Sequence, residues 1–259
     1  MEVGPPPRGA GRRWMRLCAE FLPGAAAPGW EEFLVRGREA IARSHARARA
    51  AGVLHPEVQW PAIAREAWPA LKRLGVRREA DFLVRAAALE RTVRMRAAAA
   101  SCLRQAAALG LRIGLASNAQ AYTLSELTEA LRRRGLAFGL FDPSLRFLSF
   151  ERGFAKPDPD VFRHVETGLR RQGIAPGDTL MVGDRLDNDI EPARGRGWRT
   201  WHLCAHGNGT DSGTWRQLRA LLAAASREGG TRSVRAGRRN AQARSGSTRP
   251  RRSRSSSST

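Results

Sequence analysis

Lysine is nearly missing from this chain of 259 residues. Of its 45 basic residues only Lys72 and Lys156 are lysines, so wherever any cation would serve, the sequence carries arginine. Acid is scarce as well: 24 Asp and Glu stand against those cations, leaving a formal charge of +21, and the first aspartate is Asp81. The three cysteines, Cys18, Cys102 and Cys204, lie far apart. That spacing excludes a disulfide framework and a cysteine metal centre, and fits buried thiols in a reducing compartment. Long apolar runs are absent too. The stretch "RRWMRLCAEFLPGAAA" at 12–27 opens like a twin-arginine leader, but Arg16, Glu20 and Pro23 break it. Neither a signal peptide nor a membrane span is expected, and the expected location is the cytoplasm.

With 42% hydrophobic residues, the chain can bury a substantial core. The charge is unevenly spread. Residues 226–259 are mostly Arg, Ser and Gly, end "RPRRSRSSSST", and carry about +9. With little to bury, this tail is expected to be disordered. Two readings of it stand: an arm for nucleic acid or another polyanion, because clustered arginines displace counterions from phosphate, or a solvated appendage. It has no aromatic residue to stack on bases, which favours the second.

The rest divides by pattern. Residues 1–11 read as a linker and 12–96 as a helical unit, with Trp14, Trp30, Trp60 and Trp68 as core anchors at helical spacing. From 97 to 225 strands and helices alternate. "LRIGLASN" is an apolar run leading through a polar turn into an amphipathic helix; a helix follows from about Asp158 to Arg171. "TLMVGD" reads as a buried strand and "DIEPARGRG" as a helix stopped by its glycines; "RTWHL" is a further strand and "GTWRQLRALLAAA" a closing helix. This order predicts an α/β fold: a doubly wound parallel, Rossmann-like sheet preceded by a helical domain.

In such sheets the chemistry lies beyond the carboxyl ends of the strands, and three candidate groups fall there. Ser117 and Asn118 follow a strand and precede a helix, where a hydroxyl and free amides favour an anion; one of them could equally cap the helix. Asp184, Asp187 and Asp189 crowd into six residues after a strand, and packed carboxylates invite a hard cation such as Mg²⁺; a solvated Asx turn is the competing reading. Lys156 is the third. An ammonium is a compact point charge. At about 4 Å from a carboxylate, with an effective dielectric near 20, it contributes roughly 4 kcal/mol of attraction.

Order and spacing make these groups specific. "LRIGLASN", "AKPDPDVF" and "MVGDRLDNDIEPARGRGW" resemble the second, third and fourth motifs of the haloacid dehalogenase-like hydrolase superfamily, and the helical region lies where its members carry a cap. The resemblance implies that Ser117, with the Asn118 N–H, binds a phosphoryl group and that Lys156 neutralises it. Asp184 would ligate Mg²⁺ directly, with Asp189 acting through water or a neighbour. It implies a small phosphorylated substrate and no membrane partner. The superfamily's first motif, a strand ending in Asp-x-Asp that supplies the nucleophile, is not found ahead of the helical region. The expectation is therefore a chain lacking that strand at its N-terminal side and inactive as it stands, from a Mg²⁺-dependent phosphatase that works through an aspartyl-phosphate. Two alternatives stand beside it: a metal-free 2-haloacid dehalogenase, and a catalytically dead binding module whose basic tail contacts nucleic acid.

Overall fold

The computed structural model describes residues 1–225, so the expected disordered tail, 226–259, lies outside the described residues. In the first helix, α1 (Ala10–Phe21), the buried residues are Trp14, Leu17, Cys18 and Phe21. Steps of three and four put them on one face. Helices α2 (Trp30–Ala50), α3 (Trp60–Ala67) and α4 (Val76–Glu90) close over that face. The shared cluster includes Phe33, Trp68, Leu71 and Phe82. The Trp14 ring stacks 4.6 Å from Phe33 and meets Trp68 edge-on at 6.0 Å. Both indole N–H groups are paired: Trp14 Nε1 donates to the Pro28 carbonyl at 2.8 Å and Trp68 Nε1 to that of Ala26 at 3.0 Å. Truncating such a ring to alanine costs about 3–5 kcal/mol. Of the four expected anchors, Trp14 and Trp68 are buried, while Trp30 and Trp60 pack half-buried on the same cluster.

A feature the pattern did not show ties the start of the chain to the end of this bundle. Strand β1 (Glu2–Gly4) pairs antiparallel with β2 (Thr92–Arg94), Glu2 opposite Arg94. Three-residue strands are too short to leave a period-two signal. Beyond β2 the expected alternation appears: α5 (Ala97–Ala108), β3 (Leu115–Ser117), α6 (Ala121–Arg132), β4 (Arg146–Leu148), α7 (Ser149–Arg152) and α8 (Pro159–Arg171). Then come β5 (Leu180–Gly183), a π-helical turn (Leu186–Ile190) running into α9 (Glu191–Arg194), β6 (Arg199–Leu203), β7 (Ser212–Gly213) and a last helix over 215–225. Pro159 sits in the first turn of α8, where its missing N–H costs nothing, and the Asp158 side chain caps that helix by accepting from Asp160 N. Every strand pair from β3 onward is parallel, so the α/β class holds.

The sheet is nonetheless not continuous. β3 pairs with β4, and β5–β6–β7 form a separate three-stranded piece. β5 was expected to be buried, yet Leu180 is 37% exposed and Met181 and Val182 are half-buried. Among the described residues each of β3 and β5 has a strand neighbour on one side only, so their side chains lack the cover a central strand receives. Packing of α8 joins the pieces. Its Val161, Phe162, Val165 and Leu169 share one cluster with Phe147 of β4, Trp198 and Ala193, against which Ala116 of β3 and Met181 of β5 pack. Among the described residues, no helix is long and apolar enough to cross a membrane.

Candidate functional site

Ser117 ends β3 and Asp184 directly follows β5, each at the carboxyl end of a strand in its own parallel piece. Lys156 lies between the two sheet pieces. Its Nζ donates to Asp189 Oδ1 at 2.5 Å and to the Ala116 carbonyl of β3 at 2.8 Å. The pair is enclosed, with side chains 11% and 7% exposed. An ammonium has three N–H groups, so one remains for a ligand.

Asn118 holds this lysine in place. Its Oδ1 accepts from Lys156 N at 2.7 Å and its Nδ2 donates to Lys156 O at 2.9 Å. The expected helper there is the Asn118 backbone N–H; its side chain has a separate task, clamping the lysine's own peptide groups. The capping alternative for Ser117 and Asn118 fails, because Gln120 is the N-cap of α6 and its N–H donates to Thr123 Oγ1 at 3.2 Å. The Ser117 hydroxyl, half-buried, has no hydrogen-bond partner among the described residues. It is therefore available to an anion.

The three acids of the "DRLDND" turn have separate fates. Asp189 is buried at 5% exposure, and besides Lys156 it accepts from Arg185 N at 3.3 Å. A β-carbon at Gly183 would lie 2.4 Å from the Asp189 side chain, so only glycine lets the carboxylate fold back against the end of β5. Asp187 is exposed and pairs with Arg185 at 2.6 Å. That guanidinium holds the Asp187 carboxyl below its usual range. Asp184 is exposed, and its carboxylate makes no bond among the described residues; only its backbone carbonyl is engaged, with His202 Nε2 at 3.3 Å.

Among the described residues, no group of three or more His, Cys, Asp and Glu side chains is gathered closely enough to hold a metal by itself. The donor chemistry still fits Mg²⁺, which keeps several waters and takes one or two carboxylates together with phosphate oxygens. Asp184 is free for that role, and Asp189, neutralised by Lys156, lies within the same turn.

Comparison with known proteins fixes what this arrangement belongs to. The family model "haloacid dehalogenase-like hydrolase" matches residues 20–197, well over half of the sequence, and takes in the first two motif stretches whole and the third up to Gly197. The chain belongs to the haloacid dehalogenase-like hydrolase family. Over 93 residues it is 36% identical to the glyceraldehyde 3-phosphate phosphatase of Methanocaldococcus jannaschii, a match covering 36% of this chain and 37% of that protein. It thus spans little more than a third of that relative's length. Among solved structures, this family member overlays a 2-haloacid dehalogenase from Pseudomonas syringae pv. Tomato DC3000 with a TM-score of 0.50. The two are 18% identical, covering 83% of this chain and 90% of the other, which shows the common fold. A phosphatase of the same family from Thermococcus onnurineus is 24% identical, with a TM-score of 0.37 over 47% of this chain and 54% of its own.

The motif residues leave out one part of the site. Glu57, Gln120 and Ser149 form a hydrogen-bonded group against Ala119, and none was singled out from sequence. Ser149 had a signal, since it follows β4 as Ser117 ends β3. Glu57, in a loop of the helical bundle, had none.

Proposed function

We propose that this chain carries the phosphoryl-binding and metal-binding part of a Mg²⁺-dependent phosphoric-ester hydrolase. The observation that carries the reading is the enclosed Lys156 ammonium, held by Asp189 and by Ala116 and Asn118, the two residues that flank Ser117, whose hydroxyl has no partner among the described residues. A buried cation beside free donors selects an oxyanion. The naming of a 36%-identical relative as a phosphatase supports phosphate over other anions. Ser117 would bind the phosphoryl oxygens and Lys156 would offset their charge. Asp184 and Asp189 are the residues that would hold Mg²⁺, which when bound supplies Lewis-acid polarisation of the phosphoryl group. Residues 12–96 would act as the cap over a small phosphorylated substrate, in the cytoplasm.

The attacking carboxylate is a separate matter. No aspartate precedes Asp81, which lies in α4, and among the described residues β3 and β5 each lack a strand on one side. An added strand ending in Asp-x-Asp between them would supply the nucleophile, and without it the 259-residue chain is expected to bind phosphate without turning over an ester.

Calorimetric titration of the 259-residue chain with orthophosphate, with and without Mg²⁺, tests the binding. Lys156→Met should weaken phosphate at least tenfold; equal affinity in the two chains would sink the reading. Hydrolysis of an aryl phosphate by the chain itself would overturn the expected inactivity. Chelator-independent halide release from a 2-haloacid would move the assignment to a dehalogenase.

A further inference from the structure

The loop between α2 and α3 is stitched to both loops that carry the site. Pro56 and Phe154 form an antiparallel bridge, with Glu57 N donating to Gly153 O and Ala155 N to His55 O, each at 2.9 Å. This places residues 55–57 alongside the segment that leads directly into Lys156.

The Glu57 carboxylate then reaches the other side. Its Oε1 accepts from Gln120 Nε2 at 2.8 Å and from Val58 N at 2.9 Å; its Oε2 accepts from Ser149 Oγ at 2.7 Å. Gln120 also donates to Val58 O at 2.9 Å and accepts from Trp60 N at 3.0 Å. Ser149 is fully buried, and its Oγ accepts from Ala119 N at 2.8 Å. A hydroxyl has one hydrogen. Its two candidate acceptors are the carboxylate at 2.7 Å and the Ala119 carbonyl at 3.2 Å, and the shorter, charge-assisted bond takes it.

A continuous path results. Glu57 orients Ser149, Ser149 holds the Ala119 amide, and the adjoining Asn118 side chain clamps the peptide groups of Lys156. We propose that Glu57 is a positioning residue through which the helical unit holds the anion-binding loop and Lys156 in register. As far as it concerns phosphate, the inference rests on the phosphohydrolase reading. Its consequence is that the anion site is fully formed only while the loop over residues 51–59 is docked on the strand ends.

The test is amide hydrogen exchange on the full chain, read separately for segments 118–121 and 154–157 and for α1 as a distant reference. Glu57→Ala and Ser149→Ala should each speed exchange in the two site segments by about tenfold or more while α1 is unchanged, and the double variant should add little to either single one. Glu57→Gln should sit between, because Ser149 can turn its hydrogen to the Ala119 carbonyl. Orthophosphate affinity should fall in the same order. Unchanged exchange in both site segments, or a rise of equal size in α1, would overturn the proposal, the latter because it marks plain destabilisation. Should Glu57→Ala fail to fold, Ser149→Ala decides by the same measurement. If the unsubstituted chain binds no phosphate, the phosphohydrolase reading falls, while exchange still decides the role of Glu57.

Discussion

Replacing Lys156 by Met removes a charge and leaves its partner behind, and the outcome can be worked from the geometry. At 2.5 Å and an effective dielectric near 20, the attraction to Asp189 is roughly 7 kcal/mol. Withdrawing both ions from water costs several kcal/mol each, so the intact pair adds little net stability. The variant is different. The Asp189 carboxylate stays enclosed with only the 3.3 Å bond from Arg185 N, and the Ala116 carbonyl loses its 2.8 Å donor. Breaking a buried pair from one side costs about 3–5 kcal/mol. Urea unfolding followed by circular dichroism should show a loss of that size in Lys156→Met. Adding Asp189→Asn should recover part of it, since the stranded charge is gone. A loss below about 1 kcal/mol, the range of exposed ion pairs, would refute the claim that the ammonium is desolvated. Strict additivity of the two substitutions would refute the pairing itself.

Three further outcomes follow from the same structure. Gly183→Ala would drive a β-carbon to 2.4 Å from the Asp189 side chain; overpacking of this kind costs about 1–3 kcal/mol, and thermal unfolding together with weakened orthophosphate binding should report it. Burial pushes the Cys18 thiol up to about 12 and the Cys102 thiol up to about 11, from 9.0. The folded chain therefore keeps protons that the unfolded chain sheds above pH 9, so stability is level below that pH and falls as pH rises towards 11 and 12. The slope is at most about 1.4 kcal/mol per pH unit for each thiol. A Cys18→Ala/Cys102→Ala chain with an equally steep alkaline decline would contradict this. If the basic tail is a nucleic-acid arm, deleting 226–259 abolishes steeply salt-dependent RNA or DNA binding in a filter or anisotropy assay; binding that survives deletion removes the tail from that role.

Much of this fold was legible because local signals agreed with one another. The face of α1 follows from steps of three and four, α8 from Asp158 and Pro159 at its start, and β6 from its place after the glycines that stop the preceding helix. Ser117, Asn118, Lys156, Asp184 and Asp189 stand out as candidates because they lie at strand ends in motif order and because acid and lysine are scarce here. What escaped was non-local. The β1–β2 ribbon joins residues some ninety positions apart, and its strands of three residues carry no pattern. The burial of β5 was overestimated because an apolar run reports a capacity for burial, while cover depends on a neighbouring strand that the run cannot specify. Glu57 was invisible for a related reason: a lone glutamate in a helical region reads as a solvated face, and only the fold brings it to Ser149, 92 positions away.

The same geometry explains a lysine at 156 in a chain whose cations are arginine everywhere else but Lys72. The site asks one atom to serve two acceptors on different sheet pieces, at 2.5 and 2.8 Å, inside an enclosure that leaves the side chain 11% exposed. A tetrahedral ammonium can aim two N–H groups at Asp189 and Ala116 and keep a third for a ligand. A guanidinium distributes its five donors over a rigid plane. Its fork matches a carboxylate alone, and with β3 on the other side the plane would have to displace Ala116 or leave donors buried without partners, at about 1–3 kcal/mol for each unmet group. Arginine is tolerated wherever a charge faces water, as at Arg185 beside Asp187, where both side chains are more than half exposed. Confinement between two acceptors is what sets position 156 apart.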